Sequence, residues 1–235
     1  MATIYSDILA ASASGKKLLA ILIDPEKTSA REASGLISAI NSSPATHIFV
    51  GGSTFAGKME DLIAELRKCG LPVVIFPGHP SQIDPAADAI LLLSLISGRN
   101  PDYLFGYHAD AAQKLRDSGL EIIPTGYVLV DGGRESAVAR VTGTLPLEDL
   151  EIIVNTAMAG EMLGQKLIYL EAGSGALHPV SAQAISAVRA SVRIPLIVGG
   201  GISTSEQLKT AYDAGADLVV IGTAFERDPH FFGHA

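Results

Sequence analysis

Two carboxylates in this chain stand where a buried apolar run gives way to polar residues and glycine, and each could do chemistry there. In Ile23-Asp24-Pro25-Glu26-Lys27-Thr28, Asp24 closes such a run. A hard cation such as magnesium takes oxygen ligands, commonly one carboxylate together with substrate phosphates, so Asp24 is a candidate metal ligand. The competing reading is a turn, because Asp-Pro is a frequent turn opener, or a cap on the next helix. In Val50-Gly51-Gly52-Ser53-Thr54, the glycines let backbone approach a ligand closely. Ser53 could give its hydroxyl oxygen to the same cation or cap the following helix. The second carboxylate, Glu171, lies in Tyr169-Leu170-Glu171-Ala172-Gly173-Ser174-Gly175 directly after an apolar run. A carboxylate there is costly unless it is solvated, paired or used, and the flanking glycines suggest a loop wrapped around an anion. Glu171 is therefore the candidate general base. Its alternative is a buried ion-pair partner for a lysine or arginine.

Two glycine runs point to a bound phosphate. Val198-Gly199-Gly200-Gly201-Ile202-Ser203 and Ile221-Gly222-Thr223-Ala224 offer backbone amides free of side chains, each ahead of a helix. Amides at a helix start favour anions. Which two of Gly199, Gly200 and Gly201 donate is open at this level. His79, Tyr103, Tyr107, His108 and Tyr127 could line the mouth of a site or an apolar groove, or simply pack. Arg99 could meet a diphosphate or form a surface ion pair. Asp131, with Gly132 and Gly133, reads as a turn, and Cys69 as a small packing residue.

The elements that must hold these groups are legible in the hydropathy pattern. Eight short runs are apolar on both faces, at residues 18–23, 47–50, 73–76, 89–93, 122–129, 167–170, 195–198 and 218–221. That is the pattern of parallel strands covered on two sides. Helical segments fit between them, at 58–68, 110–117, 147–163, 180–190 and 204–213, with another at 4–13 packed under or beside the barrel. Strands alternating with helices eight times predict the α/β class and a TIM (βα)8 barrel forming one domain over residues 1–235. The segment PGHPSQIDP after the third strand carries prolines at 77, 80 and 85, so a loop is expected in place of the third helix. In this architecture ligands bind at the C-terminal ends of the strands, where every candidate group above is found.

Composition narrows the function classes. The 235 residues carry 17 Lys or Arg against 25 Asp or Glu, a net charge of -8, with 48% hydrophobic residues and a mean hydropathy of +0.33. An acidic chain without a basic cluster is a poor nucleic-acid binder, since phosphate neutralisation needs cations. No apolar run approaches the roughly 18 residues of a transmembrane span. One cysteine excludes an internal disulfide or a thiolate zinc site. With no basic, apolar leader in MATIYSDILAASASGKK, a cytoplasmic location is expected.

Beyond these physical readings, ILIDPEKT, FVGGST, IFPGHPSQI, IPTGYVLVDGG, YLEAGSGA, IVGGGI and VVIGTAFE, in that order along nearly the whole chain, resemble the geranylgeranylglyceryl phosphate synthase family. The resemblance implies magnesium-dependent transfer of a prenyl group from geranylgeranyl diphosphate to the sn-3 hydroxyl of sn-glycerol 1-phosphate, releasing diphosphate. It implies Mg2+ on Asp24 and Ser53. It also implies glycerol 1-phosphate on Tyr169, Leu170, Glu171, Ala172, Gly173, Ser174 and Gly175, on Gly199, Gly200 and Gly201, and on Gly222 and Thr223. Glu26 stands where the family often has aspartate. Homo-oligomers, dimers or larger, are implied as well. The rival readings are a synthase with a longer donor such as heptaprenyl diphosphate, a sugar-phosphate isomerase or lyase, and a noncatalytic glycerol phosphate sensor.

Overall fold

The computed structural model of the chain describes residues 3–54, 57–229 and 231–232. The doubly apolar runs form eight strands: β1 (Leu18–Ile23), β2 (His47–Val50), β3 (Val73–Ile75), β4 (Ala89–Leu95), β5 (Glu121–Leu129), β6 (Leu167–Glu171), β7 (Leu196–Gly199) and β8 (Leu218–Ile221). They pair in chain order into a closed barrel. All pairs are parallel, and β1 meets β8 with Ala20 opposite Val220. The expected TIM barrel is therefore present.

Helices fill the connections: α1 (Ile4–Ser14), α2 (Ala30–Ser42), α3 (Glu60–Leu66), α4 (Tyr107–Ser118), α5 (Ala137–Thr142), α6 (Leu150–Met162), α7 (Ala182–Ser191), α8 (Ser205–Asp213) and α9 (Thr223–Arg227). Between β3 and β4 there is only a single 3-10 turn, Pro80–Gln82, so the proline-rich loop replaces the third helix as its composition predicts. Helix α2 fills the first connection, between β1 and β2. Its start is a reciprocal capping box, in which Ser29 Oγ accepts from Glu32 N at 3.3 Å and the Glu32 carboxylate accepts from Ser29 N at 2.8 Å. Helix α6 begins at Leu150 rather than 147, because Leu147 N is spent on Leu129 O at 2.9 Å and Asp149 caps the helix.

The pleat sorts the core into two shells. On β1, Leu19, Ile21 and Ile23 face the helices, while Leu18 and Ala20 face the barrel interior. The interior set includes Phe49, Leu91, Tyr127, Tyr169, Ile197 and Val220, joined by Ile8 and Ala11 of α1. The Glu121 carboxylate, at the start of β5, accepts from Ile4 N at 2.6 Å and Tyr5 N at 3.1 Å. Helix α1 thus closes the end where strands begin, which leaves the opposite mouth for function. Among the described residues no helix is long and apolar enough to cross a membrane.

Candidate active site

The alternation that fills the barrel also aims the polar groups. Leu18 and Ala20 point inward on β1, and Asp24 is in the same phase just past the strand end. On β6 the inward residues are Leu167, Tyr169 and then Glu171. Strand β6 runs one residue further than its apolar pattern suggests, so Glu171 is paired within the sheet, opposite Leu129 and Gly199. These ends open into a cleft of about 460 Å³. Asp24, Ser53, Tyr169, Glu171, Gly200 and Gly201 line it, as do Ser174, Gly175, Gly222 and Thr223.

Glu171 is 6% exposed, and Oε1 accepts the amide of Gly173 at 2.5 Å. Burial raises its carboxyl above the ordinary 4.5, with hydrogen bonds from the Tyr169 side chain and the Gly173 amide partly opposing the rise. Among the described residues no ion pair reaches Glu171, so the buried ion-pair alternative is not what the fold builds. Burial and the neighbouring carboxylate push the Tyr169 and Tyr127 hydroxyls well above their usual range, which keeps both as neutral donors. Gly199 is in contact with Tyr169 and does not itself line the cleft, whereas Gly200 and Gly201 do. The tyrosine hydroxyl occupies the space a side chain at 199 would need.

Of the run 169–175, the side chains of Leu170 and Ala172 cannot reach a ligand. They fall in the outward phase and are buried against the helical layer at 0% and 2% exposure, which leaves only their backbone for a ligand. The Gly173 amide is taken by Glu171. Ser174 Oγ meets Thr223 Oγ1 at 3.2 Å, tying the β6 loop to the β8 loop across the cleft.

At β1, the turn reading of Asp24 is what the fold builds, and its carboxylate also faces the cleft. Oδ1 accepts from Glu26 N at 3.0 Å, which is the turn, and Oδ2 lies 3.0 Å from Lys27 Nζ at the cleft. Lys27 also pairs with Glu226 Oε2 at 3.2 Å, and Glu226 Oε1 accepts from Asp24 N at 3.4 Å. Partial burial opposes the charge on Lys27, but Asp24 and Glu226 more than compensate and hold its ammonium above the usual pKa. Gly52 passes so close that a Cβ there would stand 2.8 Å from Asp24 Oδ1. The backbone carbonyl of Gly52 is fixed by Gln82 Nε2 at 2.7 Å, from the proline-rich loop. Ser53 does not cap α3, which starts after Met59 with no side-chain cap. A carboxylate and a hydroxyl facing one cleft are the oxygen donors that magnesium shares with substrate phosphates and water, so this donor set fits the ion.

A second, apolar cavity of about 110 Å³ opens beside the first. Ile83, Ile90 and Leu92 form one wall and Ala111 and Leu115 of α4 another, in the space that a third helix would otherwise fill. His79, Tyr103, Tyr107, His108 and Tyr127 line it. Tyr103 and Tyr107 meet edge to face at 5.1 Å, and His79 and Tyr107 at 5.3 Å. Arg99 lines neither cavity and donates to Gly98 O at 2.7 Å, so the fold does not place it on a diphosphate. Asp131 Oδ1 accepts from Gly133 N, the turn its sequence suggests.

The chain that builds this cleft and groove has counterparts among known proteins. A model of the PcrB family matches residues 14–232. The geranylgeranylglyceryl phosphate synthase of Flavobacterium johnsoniae is 59% identical over 236 residues, covering 99% of this chain and 97% of the relative. The chain belongs to the PcrB family. A second relative, the geranylgeranylglyceryl phosphate synthase of Zunongwangia profunda, is 56% identical over 96% of this chain and 98% of its own. A crystal structure of (S)-3-O-geranylgeranylglyceryl phosphate synthase from Thermoplasma acidophilum, in complex with substrate sn-glycerol-1-phosphate, has a TM-score of 0.92 and 34% identity. That likeness covers 99% of this chain and 95% of the other. As a PcrB-family member the chain is an enzyme, a prenyltransferase of the geranylgeranylglyceryl phosphate synthase kind.

Among the residues of the cleft and groove, Phe76, Arg134 and Glu226 escape sequence reasoning, as does Gln82, which supports Gly52 from outside both. Phe76 reads as one more strand apolar and Gln82 as loop polarity. Glu226 carried a usable signal, since it follows the β8 glycine at a helical spacing that turns it back toward β1.

Proposed function

We propose that the enzyme joins geranylgeranyl diphosphate to the sn-3 hydroxyl of sn-glycerol 1-phosphate, giving geranylgeranylglyceryl phosphate and diphosphate. The observation that carries this reading is the continuity of a polar cleft holding a buried carboxylate with an apolar groove, which suits one anionic acceptor and one donor with an anionic head and an apolar tail. Amides of Gly200, Gly201 and Gly222, with the hydroxyls of Ser174 and Thr223, receive the acceptor phosphate. Glu171, held by Gly173 and Tyr169, takes the proton as the acceptor hydroxyl attacks C1 of the donor. Its raised pKa suits a base that must hold a proton once it has gained one. Magnesium on Asp24 and Ser53 supplies charge neutralisation for the departing diphosphate. Lys27 adds a second positive charge beside Asp24.

The net charge of -8 makes local recognition necessary, because the overall field of the protein repels two anionic substrates. Labelled glycerol 1-phosphate incubated with geranylgeranyl diphosphate and magnesium is expected to yield label extractable into organic solvent. Folded protein that leaves all label in water refutes the reading. Donors of graded length test the chain-length assignment, with turnover expected to be best for geranylgeranyl rather than heptaprenyl diphosphate. We further propose a cytoplasmic enzyme, supported by its single cysteine, that assembles as a homo-oligomer. The assembly is supported by apolar exposure at Ile152, Met162 and Leu163 on and just beyond α6 and is tested by light scattering.

A further inference from the structure

The cleft and the groove meet along a short seam. Gly52, Ser53, Phe76, Tyr127 and Val138 line both cavities. A donor whose diphosphate lies in the cleft and whose chain lies in the groove, as proposed above, has its C1–O bond at this seam. When that bond breaks, the electron pair leaves on the diphosphate oxygen and positive charge spreads over the allylic carbons. The acceptor oxygen then forms its bond to C1, and its proton passes to Glu171. The allylic cation needs negative potential at this seam, whose five residues include no carboxylate: Asp24 and Glu171 line only the cleft, and Asp102, exposed just before α4, lines only the groove.

Two of the seam residues carry π-systems. The face of an aromatic ring attracts a cation without forming a bond to it, whereas a carboxylate in that place would capture the carbon. Phe76 is held as a rigid plate. It stacks on Phe49 at 6.4 Å with an interplanar angle of 12°, and tilts against Tyr169 at 5.3 Å and Tyr127 at 5.9 Å. Its ring is only half-buried, and it has no polar atom to account for its place at the mouth of a polar cleft. Its backbone continues from β3 into the loop whose Gln82 fixes Gly52 beside Asp24 and Ser53, so the ring stands between the leaving-group end and the tail.

We propose that the Phe76 ring, backed by Tyr127, stabilises the allylic cation during transfer, which makes Phe76 a catalytic residue. This inference rests on the prenyl-transfer reading of the site. The test replaces Phe76 in the full chain with mono-, di- and trifluorinated phenylalanine, which drain the ring face of electron density while preserving its shape. Single-turnover rates are read with geranylgeranyl diphosphate, sn-glycerol 1-phosphate and magnesium. A stepwise fall reaching about tenfold across the series is expected, with the KM of either substrate changed by less than about twofold. Phe76→Leu should be slower still, with folding checked by circular dichroism. Rates that stay flat across the fluorinated series, in protein that makes the expected product, overturn the role of the ring alone. Unsubstituted protein that makes no organic-soluble product overturns the prenyl-transfer reading and this inference with it.

Discussion

The carboxylate of Glu171 fills the space that a Cβ on Gly200 would occupy, although the two residues come from neighbouring strand ends. Gly200 also adopts φ +78°, a conformation costly for any residue with a side chain. The carboxylate and the glycine are therefore one unit. The space taken by Oε1 is space that Gly200 leaves empty, while the amide of Gly173 fixes that same oxygen at 2.5 Å.

Replacing Gly200 with alanine is expected to harm the enzyme in two separable ways. The added methyl must displace both the carboxylate and the Gly173 backbone that fixes it, and a carboxylate moved by about 1 Å is expected to lose roughly a hundredfold in rate. Backbone strain at positive φ lowers stability by about 1–2 kcal/mol. Turnover and urea unfolding measured on the same preparation check both. Unchanged kcat would show that the Glu171 position is not critical.

Glu171→Gln separates chemistry from folding. The raised folded pKa means that the native state holds this proton more tightly than the unfolded chain does. As pH rises through 4.5 the unfolded carboxyl ionises first, so Glu171 costs stability from there up through its folded pKa and above. The glutamine variant should therefore be at least as stable as the parent at pH 7 in thermal unfolding, still bind glycerol 1-phosphate, and lose turnover by about a hundredfold or more. In the parent, kcat should fall with acid along a limb lying above the usual carboxylate range. A variant that turns over normally removes Glu171 as the base.

How far the sequence reveals this site depends on whether a residue's role is local or assembled. The eight strands are legible because covering on two faces forces continuous apolar runs, and Asp24, Glu171 and the glycines interrupt those runs at fixed places. Helix α2 could have been read from Ser29 and Glu32, whose spacing is a capping signal in its own right. The end of β6 was obscured because a polar residue reads as the end of a strand, whereas Glu171 is paired on both sides. The apolar groove is legible only at its aromatic and histidine lining, His79, Tyr103, Tyr107, His108 and Tyr127, and not in its aliphatic walls. Those walls come from β4, the loop before it, α4 and α5, and each aliphatic residue alone looks like ordinary core. Only the missing third helix hinted that space would be left there.

Arg134 offers a test of acceptor recognition. It is exposed at the cleft, its Nη2 lying 2.9 Å from where a Cβ on Gly175 would stand, and among the described residues it has no hydrogen-bond or ion-pair partner. The β6 loop beside it is the one bridged to Thr223 through Ser174. Arg134→Ala is expected to raise the KM for glycerol 1-phosphate by about tenfold or more, the value of one charge-assisted hydrogen bond, while the donor KM stays put. Arg134→Lys should recover part of the loss. A rise confined to the donor KM would move this arginine to the diphosphate.

His47 sets an acid limit on the fold, far from the chemistry. It opens β2 at 5% exposure with Nδ1 2.8 Å from Thr46 Oγ1, and burial lowers its pKa from 6.5 to about 4 despite the attraction of Asp7. Above pH 6.5 the ring is neutral in both states and contributes nothing to pH dependence. As the pH drops below that value the unfolded chain gains a proton that the folded chain refuses, so stability falls until the buried ring also protonates near pH 4. The accumulated loss is about 3 kcal/mol. Glu171 acts in the opposite direction, so the parent curve alone does not isolate the histidine. The difference between parent and His47→Gln does: in urea unfolding from pH 7 to 4, the gap should move steadily in favour of the variant. A constant gap would mean that the folded histidine titrates like an exposed one.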